Sequence, residues 1–168
     1  MPDLGWWLEN FKESAFRLER CPSYNMPEEA EMLAAFKRGE KVQLPENHPW
    51  PPLVKRQCSA GKVMQRARVV SRPPTEYERF ELSLYPHSIE AGEQICVYER
   101  GSIPEIFRYE ADFWLFDNHT VYILNYDAEG HFLGTEPAYD MVTYRRIRDL
   151  ALERSIPLAD FTARAAGT

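Results

Sequence analysis

The order of hydrophobic and polar residues divides the chain into a helical first third, a strand-rich middle and a closing helix. In the first third, Trp7, Phe11, Ala15 and Leu18 recur at spacings of three and four residues. This spacing places one apolar stripe along a helix, so it predicts a helix over residues 5–19.

Two more helices are predicted before residue 61. Pro27 suits the first position of a helix, and Gly39 is a typical residue just past the end of one. Residues 40–52 contain four prolines and indicate a loop. A short helix from Leu53 to Ala60 follows.

The pattern then changes to a period of two residues, which is typical of strands with one buried face. The alternation predicts strands over residues 66–71 and 80–85, and a short strand over 95–98.

Four large apolar residues lie between Asp112 and Asp117, and such a run predicts a strand buried on both faces. The runs 113–117, 120–126 and 131–136 are separated by short connectors rich in Asn, Asp and Gly. Short connectors of this kind join antiparallel neighbours, so the three strands are expected to form a meander.

Asp140 is expected to cap a closing helix that ends near Arg154, and the tail after Phe161 is expected to be frayed. The pattern as a whole predicts an α+β fold with a mixed, mainly antiparallel sheet of about five to six strands. One domain over 1–168 is expected, with a helical part (5–61), a sheet (64–136), a closing helix (139–155) and a tail (162–168).

Composition and charge narrow the functional classes. The formal net charge is −6 and the pI is about 5.3, whereas proteins that bind nucleic-acid backbones are usually basic. Direct nucleic-acid binding is therefore not expected. No apolar run is long enough to span a bilayer and the first residues do not resemble a signal peptide, so a cytoplasmic location without membrane contact is predicted.

No established catalytic or cofactor motif appears. The sequence contains no G-x-S-x-G elbow and no Gly-rich phosphate loop, and its three cysteines are widely spaced. Side chains that can bind a metal occur at Asp112, Asp117, Asp127 and His119, but nothing in their spacing requires a metal. We therefore predict no cofactor and no metal, and the sequence leaves open whether the protein is an enzyme.

Two charged motifs are candidates for a site. Arg17 and Glu19 lie in Phe-Arg-Leu-Glu, and Arg79 and Glu81 lie in Arg-Phe-Glu. With residues 80–85 read as a strand, Arg68 and Glu81 would pair across the sheet. The cluster is then either a polar network that fixes helix-to-sheet register or a site where arginine binds an anion.

Trp114 and Asp117 complete the candidate residues for ligand or partner binding. Trp114 is expected either to lie beneath the helical third of the chain or to line a pocket beside Arg17, Arg68 and Glu81. Asp117 precedes Asn118-His119, so its expected role is to open a turn.

Several segments occur in one order that is specific in combination: Phe16–Glu19, Tyr24, Pro27–Glu29, Arg66–Ser71, Tyr77–Glu81, Asp112–Asp117, Tyr126-Asp127 and Gly130. Over about residues 10–160 they resemble an actinobacterial, Streptomyces-type family, the domain-of-unknown-function family 6879. The resemblance implies a single domain, often encoded near helix-turn-helix regulators, with no known activity. Asn118 stands where the family pattern has a second Asp, which argues against a site built on two adjacent carboxylates.

Two functional hypotheses follow. The first is a binding or regulatory accessory module whose acidic surface engages a helix-turn-helix regulator or signalling partner. The second is a small hydrolase or transferase acting on an anionic small molecule, with Arg17 and Arg68 clamping the anion. In that case Glu19 or Glu81 acts as a general base and Trp114 forms a pocket wall.

Overall fold

The computed structural model describes residues 1–100 and 111–167. Within these residues there are six α-helices: α1 Leu4–Asn10, α2 Ala30–Lys37, α3 Trp50–Ser59, α4 Glu76–Ala91, α5 Met141–Arg154 and α6 Leu158–Ala166. The same residues form seven strands: β1 Ser14–Glu19, β2 Val63–Val70, β3 Gln94–Glu99, β4 Asp112–Phe116, β5 Thr120–Tyr126, β6 Phe132–Ala138 and β7 Ile156–Pro157. A 3-10 turn over Pro27–Glu29 leads into α2.

The strands form one mixed sheet in the order β6-β5-β4-β1-β2-β3-β7. The pairs β1–β2 and β2–β3 are parallel and the other pairs are antiparallel. Parallel neighbours need long crossovers, and helices α2, α3 and α4 lie in the two connections. The mixed α+β fold is confirmed, and the described residues form one strand more than the upper end of the predicted range.

The two faces of the central sheet differ in chemistry. On one face, Phe16, Phe113 and Leu115 form an apolar core with Ile147 and Ala151 of α5. On the other face, apolar residues such as Trp114 and Phe116 share the surface with buried charged side chains. The predicted alternation of β4, with Phe113 and Leu115 opposite Trp114 and Phe116, is confirmed.

The predicted helix over 5–19 is wrong beyond Asn10. α1 has only seven residues and is capped by Asp3, whose Oδ1 accepts a hydrogen bond from the Trp6 N–H at 2.8 Å. Residues 14–19 form β1, the strand between β4 and β2. Pairing on both sides and burial of Ala15 to Glu19 outweigh the helical spacing of the apolar residues.

The predicted strand over 80–85 is also wrong, because these residues lie within α4. Thr75 and Glu78 form a capping box at its start: the Thr75 hydroxyl accepts from the Glu78 N–H, and the Glu78 carboxylate accepts from the Thr75 N–H. A Thr-x-x-Glu sequence is a recognised signal of a helix start. Phe80 and Leu84 are four residues apart and share the buried face of the helix.

Other predictions are confirmed. α2 follows Pro27, and β4, β5 and β6 form the antiparallel meander. α3 overlaps the helix predicted over 53–60, but it begins at Trp50, inside the predicted loop over 40–52, because prolines are tolerated in the first turn of a helix. Asp140 caps α5 by accepting a hydrogen bond from the Thr143 N–H at 3.2 Å. Leu158–Ala166 form α6, which includes most of the tail expected to be frayed, and Leu158 at its start is buried against the β3 side of the sheet. None of the helices in the described residues has the length and apolar character needed to cross a membrane.

Candidate functional site

Three arginines of β1 and β2 bring positive charge onto one face of the sheet, and each meets a buried carboxylate. Arg17 pairs with Asp112 at the start of β4, with 3.2 Å between Nη2 and Oδ2. The Tyr24 hydroxyl donates to the same carboxylate, and the Arg20 N–H donates to it at 3.0 Å. Asp112 is almost fully buried and is the centre of this group of donors.

Arg66 lies next to Arg17 in the register of β1 and β2 and bridges two glutamates. It contacts Glu19, and its Nε donates to Glu93 at 2.8 Å. The guanidinium lies between the rings of Trp50 and Tyr85, at 5.5 and 5.4 Å from their centroids. Such placement adds cation–π attraction to the ion pairs.

Arg68 has no exposed surface. Its Nε donates to Glu81 at 2.7 Å, and its two terminal nitrogens donate to the carbonyls of Cys21 at 2.8 Å and Val69 at 3.1 Å. The predicted pairing of Arg68 with Glu81 is therefore confirmed. The predicted geometry is wrong, because Glu81 reaches Arg68 from helix α4 rather than across the sheet.

These groups, which we call the buried ion-pair network, are Arg17, Arg66, Arg68, Glu19, Glu81, Glu93 and Asp112. Burial lowers the pKa of Arg17, but Asp112, Tyr24 and Tyr126 together outweigh that effect, so the pKa lies above the ordinary value. For Tyr24, burial raises the pKa, and the neighbouring Asp112 raises it further. The arginines therefore stay charged, and Tyr24 keeps its proton and donates a hydrogen bond to Asp112.

The other predicted site residues lie apart from this network or at its margin. Arg79 is exposed and donates to the Pro74 carbonyl at 2.8 Å. Trp114 is buried against Trp50 and Phe116, with ring centroids at 5.8 and 5.6 Å. The expectation that Trp114 lies beneath the helical third of the chain is thus confirmed, because the Trp50 ring of α3 covers it.

Asp117 has the turn role that the sequence predicts. It and Asn118 adopt the left-handed backbone conformation, with φ of 50° and 62°. Its carboxylate accepts hydrogen bonds from the N–H groups of Lys12, Glu13 and Ser14 at 2.9, 2.7 and 3.0 Å. Partial burial raises the pKa of Asp117, but these donors outweigh it, so the pKa lies below its ordinary value.

The predicted residues do not line an open site. Arg17, Glu19, Arg68 and Glu81 are brought together, but inside the molecule, with their hydrogen-bonding groups directed at one another. Sequence reasoning did not select Arg66, Glu93, Asp112 or Tyr24, all of which contact the network. Arg66 can be recognised as part of the network from its position opposite Arg17 in the register of β1 and β2. That register can be assigned only once residues 14–19 are known to form a strand.

A groove of about 620 Å³ lies on the surface beside α1, α2 and α3. We call it the Trp50 groove. Its apolar walls include Leu8, Met32, Trp50 and Leu53, and its charged lining residues are Glu28 and Glu29. None of the predicted site residues belongs to this lining, so the sequence did not indicate the groove.

The charge of the Trp50 groove is negative. Burial raises the pKa of Glu29, and a 2.6 Å hydrogen bond from the Tyr77 hydroxyl partly offsets that rise. Burial lowers the pKa of His48, whose Nδ1 accepts from the Trp50 N–H at 3.2 Å. His48 is therefore neutral near pH 7 and carries its proton on Nε2. The groove combines an apolar wall with carboxylates, and its lining in the described part of the chain contains no lysine or arginine.

In the described part of the chain, one group of side chains has the spacing of metal ligands: Asp127, Glu129 and His131 in the β5–β6 hairpin. His131 already uses both ring nitrogens, with Nδ1 at 3.0 Å from Asp127 and Nε2 at 2.9 Å from the Asn25 amide. The Asp127 carboxylate also accepts the N–H groups of Glu129 and His131. The cluster therefore stabilises the hairpin turn.

The chain belongs to the family described as Domain of unknown function (DUF6879), whose family model matches residues 2–163. No curated protein matches the sequence. Two solved structures with similar backbones are NucT from Helicobacter pylori, 12% identical, and the phospholipase D family member Nuc from Salmonella typhimurium, 10% identical. Each alignment covers 90% of this chain and 86% of the other, with a TM-score of 0.45. Similarity at this level assigns no activity.

Proposed function

We propose that this member of the DUF6879 family is a non-catalytic binding module and a regulatory accessory to a helix-turn-helix regulator or signalling partner. The Trp50 groove is the proposed contact, and its occupant is a basic amphipathic segment of the partner protein. The observation that carries the proposal is the combination of an apolar wall with two carboxylates, Glu28 and Glu29, in one groove.

The size and lining of the groove suit such a segment. Its volume of about 620 Å³ is within the roughly 300–1,000 Å³ of typical ligand sites. Amphipathic segments bind grooves by inserting apolar anchors, and here Trp50, Leu53 and Met32 would contact those anchors. A lysine or arginine beside the anchor would pair with Glu28 or Glu29.

Charge supports a basic partner over an acidic one. The chain carries a net charge of −6, so it attracts a basic protein over long range and speeds their association at low salt. A regulator that binds DNA has the required basic charge, because it must neutralise phosphates.

The hydrolase or transferase hypothesis has less support. It requires Arg17 and Arg68 to hold an anion, but Arg17 is paired with Asp112, and Arg68 is paired with Glu81 and two carbonyls. An anion that bound there would have to displace a buried carboxylate, which costs several kcal/mol.

Calorimetric titration of the chain with a neighbouring helix-turn-helix regulator tests the proposal. At 50 mM salt, the double variant Glu28→Gln/Glu29→Gln should bind at least tenfold more weakly, about 1.4 kcal/mol. The matched control is Glu90→Gln/Glu153→Gln, which removes the same charge from exposed positions outside the groove. Its affinity should stay within twofold of the unmodified chain.

A second control separates the groove from other apolar surface. Leu133 on edge strand β6 is 66% exposed, so Leu133→Ser tests whether the partner uses that edge instead. A loss of binding in Leu133→Ser with full binding in the groove variant would refute the Trp50 groove. An absence of binding at 50 mM salt would refute the proposed partner class.

A further inference from the structure

A second cavity, of about 240 Å³, lies at one edge of the sheet. β1 and β3 run in the same direction, because each is parallel to β2. β5 also runs that way, because both β1 and β5 are antiparallel to β4. The cavity is lined by Arg20 directly after β1, Arg100 directly after β3, and Asn125 and Tyr126 at the end of β5. We call it the carboxyl-edge pocket, and the carboxyl ends of parallel strands are a common place for ligand sites.

The two arginines of this pocket differ from those of the buried ion-pair network. Among residues 1–100 and 111–167, neither Arg20 nor Arg100 forms an ion pair with a carboxylate. The Nε of Arg100 is buried and has no hydrogen-bond partner in the part of the chain that the structure describes. One terminal nitrogen of Arg100 contacts the Arg20 carbonyl, which places Arg100 beside Arg20. A buried donor without a partner is costly, so this N–H favours a further acceptor, which a bound ligand can supply.

The electrostatics of Arg100 agree with this geometry. Burial lowers the pKa of Arg100, Glu78 raises it, and the neighbouring Arg20 and Arg68 lower it again, so the pKa lies below its ordinary value. The arginines of the buried network that have neighbouring carboxylates show the opposite direction. An added anion would therefore relieve a concentration of positive charge beside Arg100.

The two carboxylates in the lining do not neutralise this charge. Asp112 is already shared by Arg17, Tyr24 and the Arg20 N–H. Asp127 accepts hydrogen bonds from His131 and from two backbone N–H groups of its own turn. Their oxygens are thus turned to internal donors. The guanidinium groups of Arg20 and Arg100, in contrast, have N–H groups that meet no acceptor among residues 1–100 and 111–167.

We propose that the carboxyl-edge pocket binds the phosphate group of a small phosphate monoester, with Arg20 and Arg100 as the paired donors. Guanidinium groups bind phosphate oxygens through two parallel hydrogen bonds, and two such groups match the charge of a dianion. A volume of about 240 Å³ admits a phosphate group with a small substituent and is below the size typical of larger ligands. The site is separate from the Trp50 groove and does not depend on the function proposed for it.

Calorimetry and NMR with inorganic phosphate as the probe test the site, with ionic strength held constant by KCl. Phosphate should shift the Nε–H resonance of Arg100, whose nitrogen has no partner among the described residues. Arg20→Gln and Arg100→Gln should each weaken phosphate binding at least tenfold. Arg79→Gln is the matched control, because Arg79 is exposed, lies outside the pocket and loses the same charge. Its affinity should stay within twofold.

The side chain of Arg20 donates no hydrogen bond to the described residues, so Arg20→Gln should fold normally even if Arg100→Gln does not. An unchanged urea midpoint in the absence of phosphate checks this. Equal losses in Arg79→Gln and Arg20→Gln would overturn the site by showing general charge attraction. Acetate binding as tightly as phosphate would overturn the phosphate class, and no phosphate-dependent heat or shift would overturn both.

Discussion

Arg68 carries a charge into a position with no solvent contact, and its environment explains how the fold tolerates it. Its guanidinium meets one carboxylate and two carbonyls, and the Tyr24 ring lies 5.4 Å from its centre. A buried pair of this kind contributes little beyond what an apolar pair of similar size would contribute. Removal of one partner, however, leaves the other charge buried and uncompensated.

We therefore expect Arg68→Met to lower the free energy of unfolding by about 3–5 kcal/mol, because Glu81 loses its partner. The double variant Arg68→Met/Glu81→Leu should recover most of that loss, since no charge is then left alone. Urea denaturation measures both, with Arg79→Met as the exposed control. A double variant as unstable as the single one would show that the pair itself, rather than charge balance, stabilises the fold.

Asp117 acts on stability through its ionised form. Its pKa is lower in the folded protein than its ordinary value of 3.8, so its contribution is fully present above about pH 4. The contribution is lost as the pH falls through the lower, folded pKa. Asp117→Asn keeps a residue suited to the left-handed turn but removes the charge that three N–H groups share.

At pH 7, Asp117→Asn should lower the free energy of unfolding by about 1–2 kcal/mol. The difference from the unmodified protein should shrink as the pH falls from about 4 through the lower, folded pKa of Asp117, because below that pKa both proteins carry a neutral side chain. Urea denaturation at a series of pH values between 7 and 2.5 measures this. A difference that does not change with pH would mean that the loss comes from turn geometry rather than from charge.

At the scale of elements, local sequence signals and tertiary contacts together determine whether a segment forms a helix or a strand. In α4 a local signal at the start of the helix determines that a helix forms. The Thr75 hydroxyl accepts from the Glu78 N–H at 3.1 Å and donates to the Pro22 carbonyl at 2.8 Å. Thr75→Ala loses both bonds and should lower the free energy of unfolding by about 1–2 kcal/mol. Thr75→Ser keeps the hydroxyl and should lose less than half as much. Chemical denaturation that finds the two variants equal would assign the effect to packing of the Thr75 methyl group.

The elements that could be predicted from the sequence are those whose signals are local. The β4–β5–β6 meander follows from short turns, and the Asp140 cap follows from one side chain. β1 could not be predicted, because its charged residues are favourable in a central strand only after β2, β4 and α4 supply partners for them.

The dependence on contacts between distant segments also limits what the sequence could indicate about sites. The pairing of Arg68 with Glu81 is confirmed although its premise, a strand over residues 80–85, is wrong, because α4 brings Glu81 to the same place. The carboxyl-edge pocket could not be predicted, because Arg20 and Arg100 are 80 residues apart and meet only through strand order. The Trp50 groove likewise depends on how α1, α2 and α3 lie beside one another.

At the scale of the whole molecule, the strands of the sheet differ in pairing and in exposure. The five strands β1 to β5 each pair with strands on both sides, and β4, β1 and β2 are the three inner strands of the order. β6 is an edge strand with mostly exposed side chains. Hydrogen exchange should therefore be slowest for the amides of the three inner strands and faster for β6. The edge is also interrupted by Pro137, which has no N–H to offer to another strand, and this limits pairing with a further chain.

If residues 1–168 form a single domain, as expected, the cores on the two faces of the sheet should unfold together as one cooperative unit. Trp7, Trp50 and Trp114 all lie on the face that carries the buried ion-pair network, so their fluorescence reports on that side. Ile147 of α5 lies on the opposite, apolar face, and exchange of its amide reports on the other side. Urea unfolding followed by tryptophan fluorescence and by amide exchange at Ile147 should give the same free energy within about 0.5 kcal/mol, because two-state domains unfold as a unit. Separate values would show that the two faces belong to different cooperative units, and the single-domain prediction would then be wrong.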